Sequence, residues 1–498
     1  MLRKIRICFA TFFFVGITLM FLDFTGTLHA WLGWMAKIQL LPALLAVNAA
    51  VVVGLLVMTL LIGRAYCSVI CPLGVMQDVV SYISGRRKKK KYRFSYSPEV
   101  KWLRYGVFLL FVIALIAGIG SFVALLAPYS SYGRIVSNLF EPVYRLGNNV
   151  LAYFAERFDS YAFYHVDVWI KSIATFIVAA VTFIVLAYLS WRNGRTYCNT
   201  ICPVGTLLGF FSRFSLFRIT IDEKKCVECG LCSRRCKAAC INGKAHTVDY
   251  SRCVACMDCI DTCTHGAISF SLRTSRPKTA PEQEKNAPAD SSRRGFLTTT
   301  AILAAGAALK AQEKKVDGGL AVIEDKEVPE RATRIVPPGA VSARHFAQHC
   351  TGCQLCVSAC PNDVLRPSSD ILTMMQPVMS YEIGYCRPEC TRCSEVCPAG
   401  AIQPVSVEEK SSVQIGHAVW VRKNCIPLTD GVECGNCARH CPSGAIVMVP
   451  SDSSNPDSLK IPVVNPERCI GCGACENLCP ARPFSAIYVE GNSVHSVM

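Results

Sequence analysis

Twenty-four of the 30 cysteines in this 498-residue chain fall into six groups of four, all beyond residue 225. Group one (Cys226, Cys229, Cys232, Cys236) has the spacing C-x2-C-x2-C-x3-C, and group two (Cys253, Cys256, Cys259, Cys263) repeats it. Group three (Cys350, Cys353, Cys356, Cys360) and group six (Cys469, Cys472, Cys475, Cys479) keep that spacing and add Pro361 and Pro480. Group four (Cys386, Cys390, Cys393, Cys397, then Pro398) widens the first gap to three residues, and group five (Cys425, Cys434, Cys437, Cys441, then Pro442) widens it to eight. Thiolates at such intervals on a tight loop reach three irons of one cube, and the fourth ligates the neighbouring cube in two-cluster ferredoxins. Zinc uses Cys-x2-Cys pairs but does not call for a fourth cysteine four residues later, group after group. A disulfide scaffold belongs to short secreted chains. The spacing therefore predicts six [4Fe–4S] clusters.

In the first pair of groups, Cys226, Cys229, Cys232 and Cys263 are expected on one cluster, and Cys253, Cys256, Cys259 and Cys236 on the other. Cys240 is a surplus thiol that could replace Cys236, and Lys237 and Thr264 stand where the later groups have Pro. For groups three to six, equal spacing of the outer two favours a nested pairing, three with six and four with five, over a sequential one. Cys-Pro-x-Gly-Ala-Ile recurs at 397–402 and 441–446, with Cys-Thr-His-Gly-Ala-Ile at 263–268. Gly permits the turn and Ala-Ile opens a short strand, so each group is one loop–helix–strand unit. Such units have little core of their own and should collapse without iron. No Cys-x-x-Cys-His occurs, so no covalent c-type haem is expected.

Four more cysteines stand in a frame that the chain uses twice. Gly63-Arg-Ala-Tyr-Cys-Ser-Val-Ile-Cys-Pro-Leu-Gly74 returns as Gly194-Arg-Thr-Tyr-Cys-Asn-Thr-Ile-Cys-Pro-Val-Gly205, with eight of twelve positions identical. If the stretch is helical, Cys67 and Cys71 share a face with Cβ atoms about 5–6 Å apart, as do Cys198 and Cys202. Approximate two-fold symmetry would bring the four sulfurs together in a metal or redox site suited to iron, a small iron–sulfur centre or zinc. Inert thiols packed at helix ends are the alternative. Arg64 and Arg195 would either offset negative charge there or anchor the chain at the cytoplasmic face.

Each frame follows an apolar stretch. Apolar residues make up 51% of the chain and concentrate in its first 200 positions. Membrane spans are expected near 7–22, 38–62, 105–127 and 171–190. The basic start, Met1 to Arg6, also suits a signal peptide, but the next span follows closely without a clean cleavage site. The run 86–93 carries seven charges in eight residues and fixes that loop as cytoplasmic. The polar, aromatic stretch 128–170 should lie outside. The formal charge is +16, yet residues 341–498 hold 11 Lys+Arg against 14 Asp+Glu. Because the basic residues flank apolar spans, anionic lipid explains them and no nucleic-acid partner is expected. Residues 273–292 read as a flexible linker. Ser291-Ser-Arg-Arg-Gly-Phe-Leu297, with an apolar run to Leu309, is similar to a twin-arginine export signal at 293–312, retained as an anchor or cleaved.

The expected fold class is an α-helical membrane domain of four spans with a two-fold repeat (1–215), followed by α+β bacterial-type ferredoxin domains. These are a cytoplasmic two-cluster unit at 216–272 and a periplasmic four-cluster unit at 340–498. The spans, the repeated frame and the two-cluster module resemble the NapH-type membrane ferredoxins. The twin-arginine stretch with four cluster groups resembles the NapG-type exported ferredoxins, and MauN and MauM of methylamine utilisation look similar. The resemblance implies a quinol dehydrogenase of the bacterial cytoplasmic (inner) membrane. It would draw on the membrane quinone pool and pass electrons to a periplasmic reductase or cytochrome. A simple electron carrier, or a maturation factor that reduces a metal or cofactor for another enzyme, is the alternative. His29 and His165, near the outer ends of the spans, are candidate proton acceptors for quinol.

Overall fold

A computed structural model describes residues 1–23, 25–85, 94–160, 162–273 and 325–498. The basic run 86–93, the linker residues 274–292 and the twin-arginine stretch lie outside the described residues.

The first helix, Leu2–Leu22, is unbroken because the stretch holds no proline, and its one glycine, Gly16, makes room for the Met35 side chain. It stops at Asp23, whose carboxylate accepts the backbone N–H groups of Thr25, Gly26 and Leu28 (3.1, 2.9 and 2.8 Å) and turns the chain. A second helix of 21 residues, Ile173–Asn193, starts at a Ser172 cap. Among the described residues, these two are the helices long and apolar enough to cross a membrane. The other two expected spans are each broken. Leu40–Leu45 is followed by Val47 at φ +53° and by Asn48, whose side chain caps Ala49–Ile62. Lys101–Ala117 ends at Gly118 (φ +74°), the left-handed conformation that stops helices, and Gly120–Leu126 resumes beyond it.

The stretch expected outside holds a second departure. Pro128–Ile135 is buried along its whole length inside the helical body and runs on through a π turn, Val136–Phe140, into Glu141–Arg157. Its polar composition reads as surface, but its polar groups find internal partners, which is what permits burial. Arg134 donates to Ala124 O (2.5 Å) and Ser131 Oγ (3.3 Å), and Tyr132 OH lies 2.5 Å from Thr18 Oγ1.

Two ferredoxin modules flank this body. The first is closed by antiparallel strands Phe217–Ile221 and Ile268–Leu272, with Phe217 opposite Leu272. The second is built on antiparallel pairs Leu365–Pro367 with Pro377–Met379, Ile446–Pro450 with Lys460–Val464, and Val413–Trp420 with Ile487–Val497. The first helix is the ruler between them. Arg3 at its start pairs with Asp258 of the first module (2.8 Å). At its far end, Phe21 lies against Tyr129 and beside Gly133, which abuts Cys353 O of the second module, and Arg392 Nη1 donates to Gly26 O (2.8 Å). At 1.5 Å per residue the two contacts are about 30 Å apart.

Candidate iron–sulfur sites

Three open pockets each have four cysteines in their lining: Cys226, Cys229, Cys232 and Cys263; Cys350, Cys353, Cys356 and Cys397; and Cys425, Cys434, Cys437 and Cys479. In every case three thiols come from one group and the fourth from the group that follows or precedes it. The complementary sets show the same exchange. Cys253, Cys256 and Cys259 interact with Cys236. Cys386, Cys390 and Cys393 gather with Cys360. Cys469 and Cys472 gather with Cys441, and Cys475 lies beside both of them. Groups three and four, and groups five and six, are therefore paired sequentially, which replaces the nested order. Spacing is a property of one loop, whereas pairing follows from where the chain doubles back, and an antiparallel strand pair stands between the two groups of each pair: Ile241–Asn242 with Thr247–Val248, Leu365–Pro367 with Pro377–Met379, and Ile446–Pro450 with Lys460–Val464.

The donor sets fit a cluster. Backbone N–H groups point at sulfur from Gly352 to Cys350 (3.4 Å), Ala445 to Cys441 (3.2 Å) and Ala486 to Cys479 (3.3 Å), bonds of the kind that tune cluster potential. Burial pushes the Cys353 and Cys437 thiols up to about 11, so an empty set holds its protons at neutral pH and iron loading must release them. Buried Lys410 donates to the Arg387 and Cys390 carbonyls and sets a cation beside Cys386. Cys240 Sγ is 3.5 Å from Cys236 Sγ and draws that thiol down to about 7. It also bonds toward Cys253, so it stands within the second set rather than apart from it.

The repeated frame is not one continuous helix. Ala65–Val69 carries Cys67, the chain breaks at Cys71, and Pro72 opens Pro72–Gly85. The second copy runs Thr196–Thr200, then Cys202, then Pro203–Ser212. Proline has no N–H to continue the first helix and suits the first position of the next. Cys202 thereby becomes a cap, its sulfur accepting from Gly205 N (3.3 Å). The four thiols still converge: Cys71, Cys198 and Cys202 are buried within electrostatic range of one another and of Cys67. Each frame's arginine crosses to the other frame. Arg64 donates to Cys198 O (3.0 Å) and Asn199 Oδ1 (2.8 Å), and Arg195 donates to Cys67 O (2.6 Å). Gly74 and Gly205 leave the space these arginines fill, since a Cβ at either would collide with Cys67 O and Arg195, or with Cys198 O and Arg64. Both guanidiniums are fully buried, so surface anchoring is not their role. Among the described residues, no three His, Cys, Asp or Glu side chains converge on a single-ion site.

The proposed histidines part company. His29 Nδ1 is 3.2 Å from Asp23 Oδ2 in the buried turn after the first helix, while His165 is exposed. Sequence reasoning missed Asp78, whose carboxylate holds Arg195, Lys237 and Arg6 together (2.7, 2.9 and 3.0 Å). It missed Gln77, which donates to Cys198 Sγ (3.2 Å), and Asn138, which donates to Gln354 Oε1 (2.8 Å) at the joint with the second module. Tyr66 and Tyr197 were recoverable, because both belong to the repeated frame. The others have no counterpart in the repeat and carry no local signal.

Comparison with known proteins agrees with this geometry at a coarse level. A model described as a 4Fe-4S binding domain matches residues 44–91 and 173–221, the two segments that contain the repeated frame. Models of 4Fe-4S dicluster domains match 349–401 and 432–482, and also 385–446. The ferredoxin-type protein MauM of methylamine utilization from Methylophilus methylotrophus is 34% identical over 167 residues, 32% of this chain and 72% of its own length. The ferredoxin-type protein NapG of Escherichia coli is 29% identical over 32% of this chain and 75% of its own length. A candidate electron transport protein of Escherichia coli, YccM, is 25% identical over 53% of this chain, and the match covers 64% of that relative. No solved structure matches the chain.

Proposed function

The chain belongs to the family of ferredoxin-type 4Fe–4S proteins that includes MauM, and from that membership we propose that it is a membrane-bound quinol dehydrogenase that delivers electrons to a periplasmic oxidoreductase or cytochrome. The observation that carries the reading is the fixing of two ferredoxin modules at opposite ends of Leu2–Leu22, about 30 Å apart, the thickness of a bilayer's hydrocarbon core. The helical body supports it with apolar side chains turned away from the protein: Phe9 and Phe12, Val53 and Val57, Ile113 and Ile116, Ile177 and Val181 are all exposed. Such faces need lipid or a partner. They occur on all four apolar segments, so four passes are proposed, two of them broken. Broken helices are tolerated at membrane depth where protein covers the freed backbone. The first module then faces the cytoplasm and residues 340–498 face the periplasm of a bacterial inner membrane.

An open cleft at the outer end of the body is the proposed quinol site. It is lined by Asn138, Glu141, Arg145, Trp169 and Lys171, with Pro142, Val168 and Ile170 as its apolar wall. Glu141 is held by Arg145 (2.7 Å) and Lys171 (3.2 Å) and accepts from Ser358 Oγ (3.4 Å), two residues from Cys356. A headgroup there meets a carboxylate as proton acceptor beside the cysteine set nearest the body, and takes over the role considered for His29. Cys350, Cys353, Cys356 and Cys397 would hold the receiving cluster, which accepts one electron at a time when bound. The test is addition of a short-chain quinol to membranes containing the full chain. Bleaching of the cluster absorbance is expected, and bleaching by dithionite but never by quinol refutes the reading. An alkaline phosphatase fused at the carboxy terminus should be active, and an inactive fusion refutes the topology.

A further inference from the structure

We propose that the set of Cys425, Cys434, Cys437 and Cys479 is the electron exit of the second module, and that the cations around it form a docking surface for an acidic one-electron carrier protein. Such an exit rests on the reading above that residues 340–498 deliver electrons to a redox partner, but not on quinol being the reductant.

Position selects this set. Groups three and four both touch the helical body: Gly133 abuts Cys353 O, Asn138 donates to Gln354 Oε1 (2.8 Å), and Arg392 Nη1 donates to Gly26 O (2.8 Å). Groups five and six bond back onto the rest of the module instead. Cys386 N donates to Cys472 O (2.9 Å), Gly491 N to Thr333 O (3.3 Å) and His495 N to Val341 O (2.8 Å). Of the last two groups, it is group six that meets group four, and its Cys469, Cys472 and Cys475 are buried. Cys434 and Cys437 are only half-buried, in an open pocket that Trp420, Pro462 and Pro480 also line. Counted outward from the body, this set comes last.

Charge names the partner. Residues 341–498 hold 11 Lys+Arg against 14 Asp+Glu, yet the segments that supply this set's ligands, 422–439 and 479–484, hold four cations to two carboxylates, Asp430 and Glu433. Arg422 and Lys423 stand three and two residues before Cys425, Arg439 two after Cys437, and Arg482 three after Cys479. All four are exposed. The ion pairs of the module among the described residues, Arg331 with Glu476 and Arg366 with Glu382, involve none of them. Arg482 is steadied by donating to Cys479 O (2.9 Å). Leu428, Val432 and Phe484 in the same segments are exposed and offer the apolar contact that interface centres use. Cations without ion-pair partners beside such a centre fit a protein whose cofactor edge is ringed by carboxylates. The step moves one electron from the reduced cluster held by this set to the oxidised carrier, and no bond is made or broken.

The test uses the full chain in detergent, its clusters reduced by dithionite and the excess removed. It is mixed in a stopped-flow instrument with oxidised cytochrome c, which is basic, or with the same cytochrome succinylated on its lysines, which is acidic. The acidic form should be reduced faster by about tenfold or more at low salt. The two rates should converge in about 1 M salt, where the screening length falls to about 3 Å. Arg422→Glu combined with Lys423→Glu and Arg439→Glu should abolish the preference, while Arg344→Glu, at an exposed cation on the helix before group three, should leave it in place. Equal rates, or faster reduction of the basic form, by the wild-type chain at low salt overturn the acidic partner without any variant having to fold. An unchanged preference in the triple variant overturns the exit. Because dithionite loads the clusters, a chain that shows the preference but is never bleached by quinol loses the quinol reading alone, and one bleached by quinol without the preference loses the docking surface alone.

Discussion

Replacing Asp78 by Asn tests the joint between the helical body and the first module. One carboxylate holds three cations from three parts of the chain: Arg195 of the second frame, Lys237 of the module and Arg6 of the first helix. Their side chains are 0%, 9% and 12% exposed. The loss is not shared evenly. Lys237 keeps Asp258 at 3.0 Å, and Arg6 lies nearest solvent, where such a pair contributes about 1 kcal/mol or less. Arg195 has no other carboxylate among the described residues, and stranding a fully buried cation costs about 3–5 kcal/mol. At roughly 2–4 °C per kcal/mol for a domain of this body's size, cluster bleaching at the first module should move down by about 10 °C in a detergent melt. The second module should hold its own transition. Adding Arg195→Met should recover most of the loss, because an apolar pair can replace a buried ion pair at little cost. An Asp78→Asn protein that melts within a few degrees of wild type, or a double variant worse than the single one, would refute the assignment.

Three other outcomes follow from the geometry. Cys236→Ser should retain iron with a shifted EPR signal, because Cys240 is 3.5 Å from the lost thiol; Cys236→Ser with Cys240→Ser should lose about four irons by metal analysis. Gly133→Ala drives a methyl group into Cys353 O and Phe21, so about 1–3 kcal/mol should be lost at the joint with the second module, read as faster proteolysis of the Cys350 loop. His495 is held neutral by burial, with a pKa down at about 4 and, among the described residues, no partner for either ring nitrogen. Its folded value lies below the unfolded one, so the stability it supports is complete above about pH 6.5 and falls as pH drops towards 4, at about 1 kcal/mol per pH unit at first. The protection factor of the terminal strand, exchange corrected for its intrinsic roughly tenfold fall per pH unit, should drop between pH 7 and 5.5 in wild type and stay flat in His495→Phe.

The cluster-binding loops were legible because three thiols on one turn are a local device, written out in consecutive residues. The fourth thiol was equally legible in the first module, where Cys263 and Cys236 exchange as the two-cluster pattern requires. It was misjudged in the second, because equal spacing in groups three and six says nothing about which strands pair. The apolar segments marked the helical body but hid its breaks, since Asn48 and Gly118 act through a cap and a left-handed residue rather than through hydropathy.

The sequence by itself determined the cysteine groups, the repeated frame and the apolar segments, because each depends on residue type at short range. Only the tertiary structure decided that Arg64 and Arg195 trade places across the frames, that a polar helix at Pro128–Ile135 is interior, and that four thiols from two distant segments meet between the modules. Those are outcomes of burial and charge compensation among residues more than a hundred positions apart, and no window along the chain contains both partners.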